Sequence, residues 1–353
     1  MTRLSCTTAV WLLALIAVRP CAAADEDPLL KARGSWLAGK YAEAIETWQP
    51  LLADHPEAVL GTARCLREQG KVDEAAELLG EAAADRADLQ AELARLEFNR
   101  GKYAQAKARA DEAIRLDANQ LQARWILAEL DRVAGRLDEA EAGYRWLITY
   151  YNMHEVQRAE SLHWIGLAAA RYARWNRLDG QFGFLVNELY PDALKAEEAY
   201  WPALYESGVL FLEKYNKGDA SRELKAALEL NPNAAEVHVA LAALAAAERK
   251  LDQAEESLDR ALEINPNLLS AWLGKADLVW GNFDVHGSLE LLRKKALPLN
   301  PRSEETLGRI AGCYVLLDGM PEEGDATRLT RLIDHVTRLN PHAGDFFFAL
   351  GAQ

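Results

Sequence analysis

The side chains best suited to chemistry in this sequence do not form a catalytic pattern. His154-Glu155-Val156-Gln157-Arg158 opens like the helix of a zinc peptidase, but Arg158 stands where a second imidazole must lie one helical turn later to give the metal a face. Nucleophile elbows, phosphate loops, dinucleotide loops and metal-ligand spacings are missing. Acid pairs are common, yet Glu74, Glu139 and Glu255 fall where helices are expected to begin, and a carboxylate there favours the helix dipole. The chain is therefore read as non-enzymatic, with no catalytic residue, no metal and no cofactor.

The elements that would position these residues repeat. Residues 39–44 read GKYAEA, 70–75 GKVDEA, 101–106 GKYAQA and 135–140 GRLDEA. Further on, the same period is marked at the other end of the unit: ALELNPN at 227–233, ALEINPN at 261–267, ALPLNP at 296–301 and VTRLNP at 336–341. Each unit fits an Ala/Leu-rich helix, a glycine turn, a second helix and an Asn-Pro break. Gly39, Gly70, Gly101 and Gly135 suit a helix end needing positive φ. Ala44, Ala75, Ala106, Ala140 and Ala254 suit the close approach of two antiparallel helices, and Pro232, Pro266, Pro301 and Pro341 end one helix and begin the next.

This pattern resembles the tetratricopeptide repeat over about residues 29–341, with roughly nine units. Trp48, Tyr144 and Leu258 occupy the place of the family's large second-helix residue, and Ala128, Gly208 and Ala242 that of its small first-helix residue. The resemblance implies an all-α, right-handed superhelical solenoid of antiparallel helix pairs that binds a protein or extended peptide. In such an array only neighbouring units are expected to touch. His55, His163, His238, His286, His335 and His342, spread over different units, then cannot converge on a metal.

First helices of such an array line its concave face, which places Arg64, Arg67 and Arg95, with Asn99 and Arg100, on an inward stripe. Guanidinium forks there suit a carboxylate or acidic peptide, and the alternative is a face satisfied by internal ion pairs. A second candidate is aromatic. The stretch 144–215 holds 15 of the 29 aromatic residues, and Trp164, Tyr172, Trp175 and Tyr205 in it suit an anchor pocket or, alternatively, the filling of a gap between mismatched units. The motif is degenerate between residues 150 and 200, where a long first helix spans 161–177 and LDGQFGF reads as an extended connection.

The apolar run Ala9–Val18 behind Arg3, followed by Arg19-Pro20-Cys21-Ala22-Ala23-Ala24, reads as a cleaved signal peptide and directs the protein to the periplasm or outside. Ten apolar residues are too few to span a bilayer, and no other run is comparable, so no integral span is expected. Removing residues 1–24 removes two arginines and no acid, taking the net charge from −14 to −16 and excluding nucleic acid as a natural partner. Cys65 and Cys313 then remain, far apart and expected to be unpaired.

The resulting organisation is a signal peptide (1–24), N-terminal repeats (25–149), a degenerate aromatic-rich repeat (150–200), C-terminal repeats (201–341) and an incomplete repeat helix (342–353). In that last segment Phe346, Phe347 and Phe348 cannot all be hidden by one preceding unit, which points to self-association or continuation of the chain. The functional expectation is a binding scaffold or adaptor of the cell envelope. The rival is the recognition arm of a larger exported, peptidase-like enzyme.

Overall fold

The computed structural model describes residues 27–319 and 327–352. The leader at 1–24 and most of the DGMPEEGD insert at 318–325 lie outside them. Among the described residues the chain forms nine helix pairs and the opening helix of a tenth. The first four pairs are α1 (Pro28–Leu37) with α2 (Tyr41–Trp48), α3 (Pro56–Glu68) with α4 (Val72–Ala82), α5 (Ala87–Asn99) with α6 (Tyr103–Leu116), and α7 (Leu121–Val133) with α8 (Leu137–Met153). In the fifth, α9 (Ala159–Asn176) packs against α10 (Asp179–Phe184), which continues into α11 (Tyr190–Ala196). Then come α12 (Trp201–Glu213) with α13 (Lys217–Leu230), and α14 (Ala235–Ala247) with α15 (Leu251–Ile264). The eighth pair is α16 (Leu269–Gly281) with α17 (Val285–Leu291), extended by α18 (Leu297–Leu299). The ninth is α19 (Glu304–Asp318) with α20 (Arg328–Leu339), and α21 (Gly344–Ala352) follows.

The repeated residues act locally as their types require. Gly39 has φ +72, and Lys40 beyond it donates its N–H to Ser35 O at 2.9 Å, closing the left-handed end of α1. Ala44, Ala75, Ala106, Ala140 and Ala254 are fully buried, and the ring of Trp48 lies where a methyl on Gly61 would stand. In the fifth unit the stretch read as an extended connection is helical instead. Its glycines suggested extension, but Phe182, Leu185, Leu189 and Tyr190 are all buried, a spacing that a helix satisfies. Wide π turns at Leu185–Leu189 and Leu292–Ala296 precede Pro191 and Pro298, each proline sitting where a regular helix would require its missing N–H.

The solenoid winds tightly enough that distant units touch, which corrects the expectation of neighbour-only contacts. The glycine turns of units one to four dock against the Asn-Pro breaks that follow units six to nine. A Cβ on Gly39 would collide with Asn231 Oδ1, one on Gly70 would stand 2.5 Å from Asn265 Oδ1, and one on Gly135 2.7 Å from Asn340 Oδ1; Gly101 meets Asn300 in the same way. Each asparagine is buried, and its Oδ1 accepts the N–H two residues on, at 2.8 to 3.0 Å. Its amide side reaches the lower turn. Asn231 Nδ2 donates to Tyr41 Oη at 3.2 Å, and Asn265 Nδ2 to Arg67 O at 3.3 Å. Their neighbours add Asn233 Nδ2 to Gly39 O at 3.1 Å and Asn267 Nδ2 to Gly70 O at 2.8 Å. About six units therefore complete one superhelical turn, and a seam joins the first turn to the second.

The two kinds of repeat mark are thus partners. Arg177, Tyr215, Arg249 and Phe283 occupy the left-handed position in units five to eight, and all four are exposed among the described residues. Tyr215 is 87% and Phe283 93% exposed.

At the C-terminal end α21 packs on α19. Phe346 is fully buried, while Phe347 and Phe348 face outward, Phe348 with 80% of its surface exposed. No helix among the described residues is long and apolar enough to cross a membrane.

Candidate binding chamber

Closing the superhelix turns the concave face into an interior, and the first helices line it. Their inward residues are charged, an arrangement that costs free energy unless the charges are matched. Arg64 is paired to Glu160 and lies 3.5 Å from Glu92, with its guanidinium 5.5 Å from the Trp36 ring. Arg67 lies 2.9 Å from Glu68 and 3.0 Å from Glu92. Arg33 binds Glu197 through two hydrogen bonds of 2.7 Å, tying the first unit to the loop before the sixth. Further along, Glu129 receives Tyr144 Oη at 2.5 Å and Arg132 at 2.9 Å, and Arg132 also reaches Asp345 of α21 at 2.6 Å.

The electrostatics follow from that crowding. Burial works against the Glu92 charge, but Arg67, Arg64 and Arg95 together hold its pKa down to about 2. Burial pushes Glu68 up to about 7 against the pull of Arg67, and Glu206 up to about 7 against Arg174 and Arg95. His163 is driven down to about 3 by burial and by Arg95, so its imidazole is neutral. Arg95, its charge disfavoured by burial and by Arg67, stacks 5.3 Å over Trp164 and has no carboxylate within 4 Å among the described residues. Arg67 Nε, Glu92 Oε1, His163 Nδ1 and Glu236 Oε2 are shielded from solvent and make no hydrogen bond to the protein.

A cavity of about 590 Å³ opens between the two superhelical turns, its floor from units two to four and its roof from units seven to ten. Arg67, Asn99, Arg100, Asn265, Asn267 and Glu236 are among the residues in its wall.

The nine residues singled out from the sequence are divided among several places. Arg64, Arg67 and Arg95 face the interior, the first two already occupied by carboxylates. Asn99 and Arg100 border the cavity, Arg100 bound to Asp73 at 2.5 Å. Trp164 is core, 5.5 Å from Trp125. Tyr172 is half-buried with Arg145 5.8 Å over its ring, and Trp175, 37% exposed, meets Tyr144 edge-on at 5.5 Å. Tyr205 is half-buried beside Trp201, its hydroxyl pKa raised by burial and by Glu206 and Glu236. Among the described residues the four aromatics are not gathered around one of the main cavities. The interior acids Glu68, Glu92, Glu160, Glu206 and Glu236 escaped the sequence reading. Their signal was an acid set among the apolar residues of an Ala/Leu-rich first helix, as in AELAR around Glu92. Among the described residues no three His, Cys, Asp or Glu side chains are grouped to hold a metal ion.

The tetratricopeptide repeat family model matches residues 29–91, 92–150 and 205–268, and the chain belongs to that family. No curated protein matches the sequence. Among solved structures it is similar to the APC/C hetero-tetramer Cut9–Hcn1, at 15% identity over 81% of this chain and 55% of that one, with TM-score 0.48. This chain thus spans about half the length of that protein. It is also similar to TTC0263, a thermophilic repeat protein of Thermus thermophilus, at 20% identity over 55% of this chain and 99% of that one, TM-score 0.45. Yeast Tom70 aligns at 17% identity over 92% and 87%, TM-score 0.42. The class is a repeat scaffold, a fold that serves protein–protein interaction.

Proposed function

We propose that this protein is a non-enzymatic scaffold of the cell envelope that holds a protein or extended peptide segment inside its superhelix. The observation that carries this reading is the cavity between the turns, whose wall joins guanidiniums of the first turn to carboxamides and apolar side chains of both, and whose volume suits a bound ligand. The acidic net charge of −14 argues against nucleic acid.

A photocrosslinking residue at Leu269, in the cavity wall, is expected to capture a protein from the native envelope fraction. The same residue at Tyr215, on the free outer edge, is expected to capture none. Equal capture at both positions, or capture at Tyr215 alone, refutes interior binding. The envelope location rests on the leader pattern, and the mature N-terminus should then be Asp25; a cytoplasmic protein retaining residues 1–24 sinks it.

A further inference from the structure

The cavity wall is electrostatically lopsided. Each of its three guanidiniums is already matched: Arg67 by Glu68 and Glu92, Arg100 by Asp73, Arg132 by Glu129 and Asp345. The acids are not. Asp73 and Asp345 are engaged in those pairs, and Glu304 accepts Asn340 Nδ2 at 2.6 Å. Glu236, on the first turn of α14, has no cation within 4 Å among the described residues, and its Oε2 is shielded from solvent without a hydrogen bond. Burial, with the Glu236 charge adding to it, raises the carboxyls of Glu68 and Glu206 nearby. Apolar residues, Leu96, Phe98, Leu269 and Leu273 among them, line the same cavity.

We infer that the cavity receives a cationic side chain, a lysine or arginine of a basic peptide segment, with its alkyl stem along the apolar wall and its charged head on Glu236. The inference rests on the peptide-holding reading above and gives the partner a chemistry. A long cationic side chain matches both features of the site, since its stem buries favourably on apolar surface while its head keeps a charge partner. The partner's charge is thereby opposite to the acidic one that the arginine stripe had suggested from sequence. Arg64, Arg67 and Arg100 of that stripe already hold carboxylates, and Arg95 stacks on Trp164.

The test is fluorescence anisotropy with a fluorescein-labelled trilysine amide, a triglutamate counterpart and unlabelled spermidine. Trilysine is expected to bind one per protein and triglutamate not at all. Glu236→Gln, which keeps the side-chain shape, should weaken trilysine about tenfold or more, the worth of a hydrogen bond to a charged group. Glu77→Gln, on the exposed face of α4, should leave it unchanged and so separates the site from the general negative surface. Binding by Glu236→Gln within twofold of wild type, binding of triglutamate, or no trilysine binding overturns the inference. Displacement of trilysine by equimolar spermidine overturns its peptide half, assigning the cavity to free polyamines. None of these results touches the crosslinks at Leu269, so the scaffold reading and this one fail separately.

Discussion

Replacing Gly39 by alanine tests whether the seam is a structural joint. The backbone there has φ +72, a region that costs a residue with a Cβ about 1–2 kcal/mol. The added methyl also collides with Asn231 Oδ1, so either the asparagine leaves or the turns part. Three hydrogen bonds are at stake: Tyr41 Oη to Asn233 O at 3.0 Å, Asn231 Nδ2 to Tyr41 Oη at 3.2 Å and Asn233 Nδ2 to Gly39 O at 3.1 Å. At about 1 kcal/mol each, the total loss is about 4–5 kcal/mol. Phe283→Gly is the mirror experiment. It relieves a similar left-handed strain at the free edge, offset by the extra entropy of glycine, so its effect should stay within about 1 kcal/mol. The assay is urea denaturation by far-UV circular dichroism, with small-angle scattering in native buffer. Gly39→Ala should lower the midpoint and increase the radius of gyration, whereas Phe283→Gly should change neither much. Adding Asn231→Gly to Gly39→Ala removes the collision, so the double variant should lose less than the sum of the singles. Additivity within about 0.5 kcal/mol, or an unchanged radius for Gly39→Ala, refutes the joint.

Glu206 should give the folded protein a pH dependence. Its folded pKa of about 7 lies above its ordinary 4.5, so the stability it contributes is complete below about pH 4.5 and is lost as the pH rises through 7. Glu206→Gln, referenced to wild type to cancel the opposite slope of His163, should therefore gain relative stability between pH 4.5 and 7 in thermal melts; a constant difference contradicts the assignment. Cys65 and Cys313 are free and buried, and burial raises both thiols, Cys313 to about 11. Neither should react with iodoacetamide at pH 8 before unfolding, and non-reducing mass spectrometry should find no bond between them. In α21, Phe346→Ala should cost about 3–5 kcal/mol and Phe348→Ala almost nothing in denaturant titrations. Equal effects would mean that α21 does not dock on α19 in solution.

The helix pairs were legible because their marks are local. A glycine closing a helix, an alanine at a close crossing and an asparagine before proline each announce a requirement met within a few residues. The pitch of the superhelix was not legible, since it accumulates from small rotations between neighbouring units that leave the period unchanged. The change of marks along the chain was visible, GK turns early and Asn-Pro breaks late, but nothing local says that Gly39 and Asn231 are partners. For the same reason Arg64 and Arg67 read as an open stripe. Their partners Glu92 and Glu160 belong to other units, and Glu160 lies 96 residues from Arg64. The helix at Asp179–Phe184 was hidden for a different cause. Two glycines in LDGQFGF outweighed an apolar stripe that only becomes regular when Leu185, Leu189 and Tyr190 are counted with Phe182.

Arrays of repeats usually gain and lose units freely, because each module meets only its neighbours and a duplication adds one more of the same. The seam removes that freedom here. Partners across it are 190 to 208 residues apart, and that span must contain about six units for every glycine turn to arrive under its asparagine. Duplicating or deleting the fifth unit, which lies inside all four spans, would shift four joints at once, and Glu197 would no longer meet Arg33. The number of units between the joints is thereby counted by the geometry, and a lineage that preserves the joints can vary its outer helices while that number stays constant.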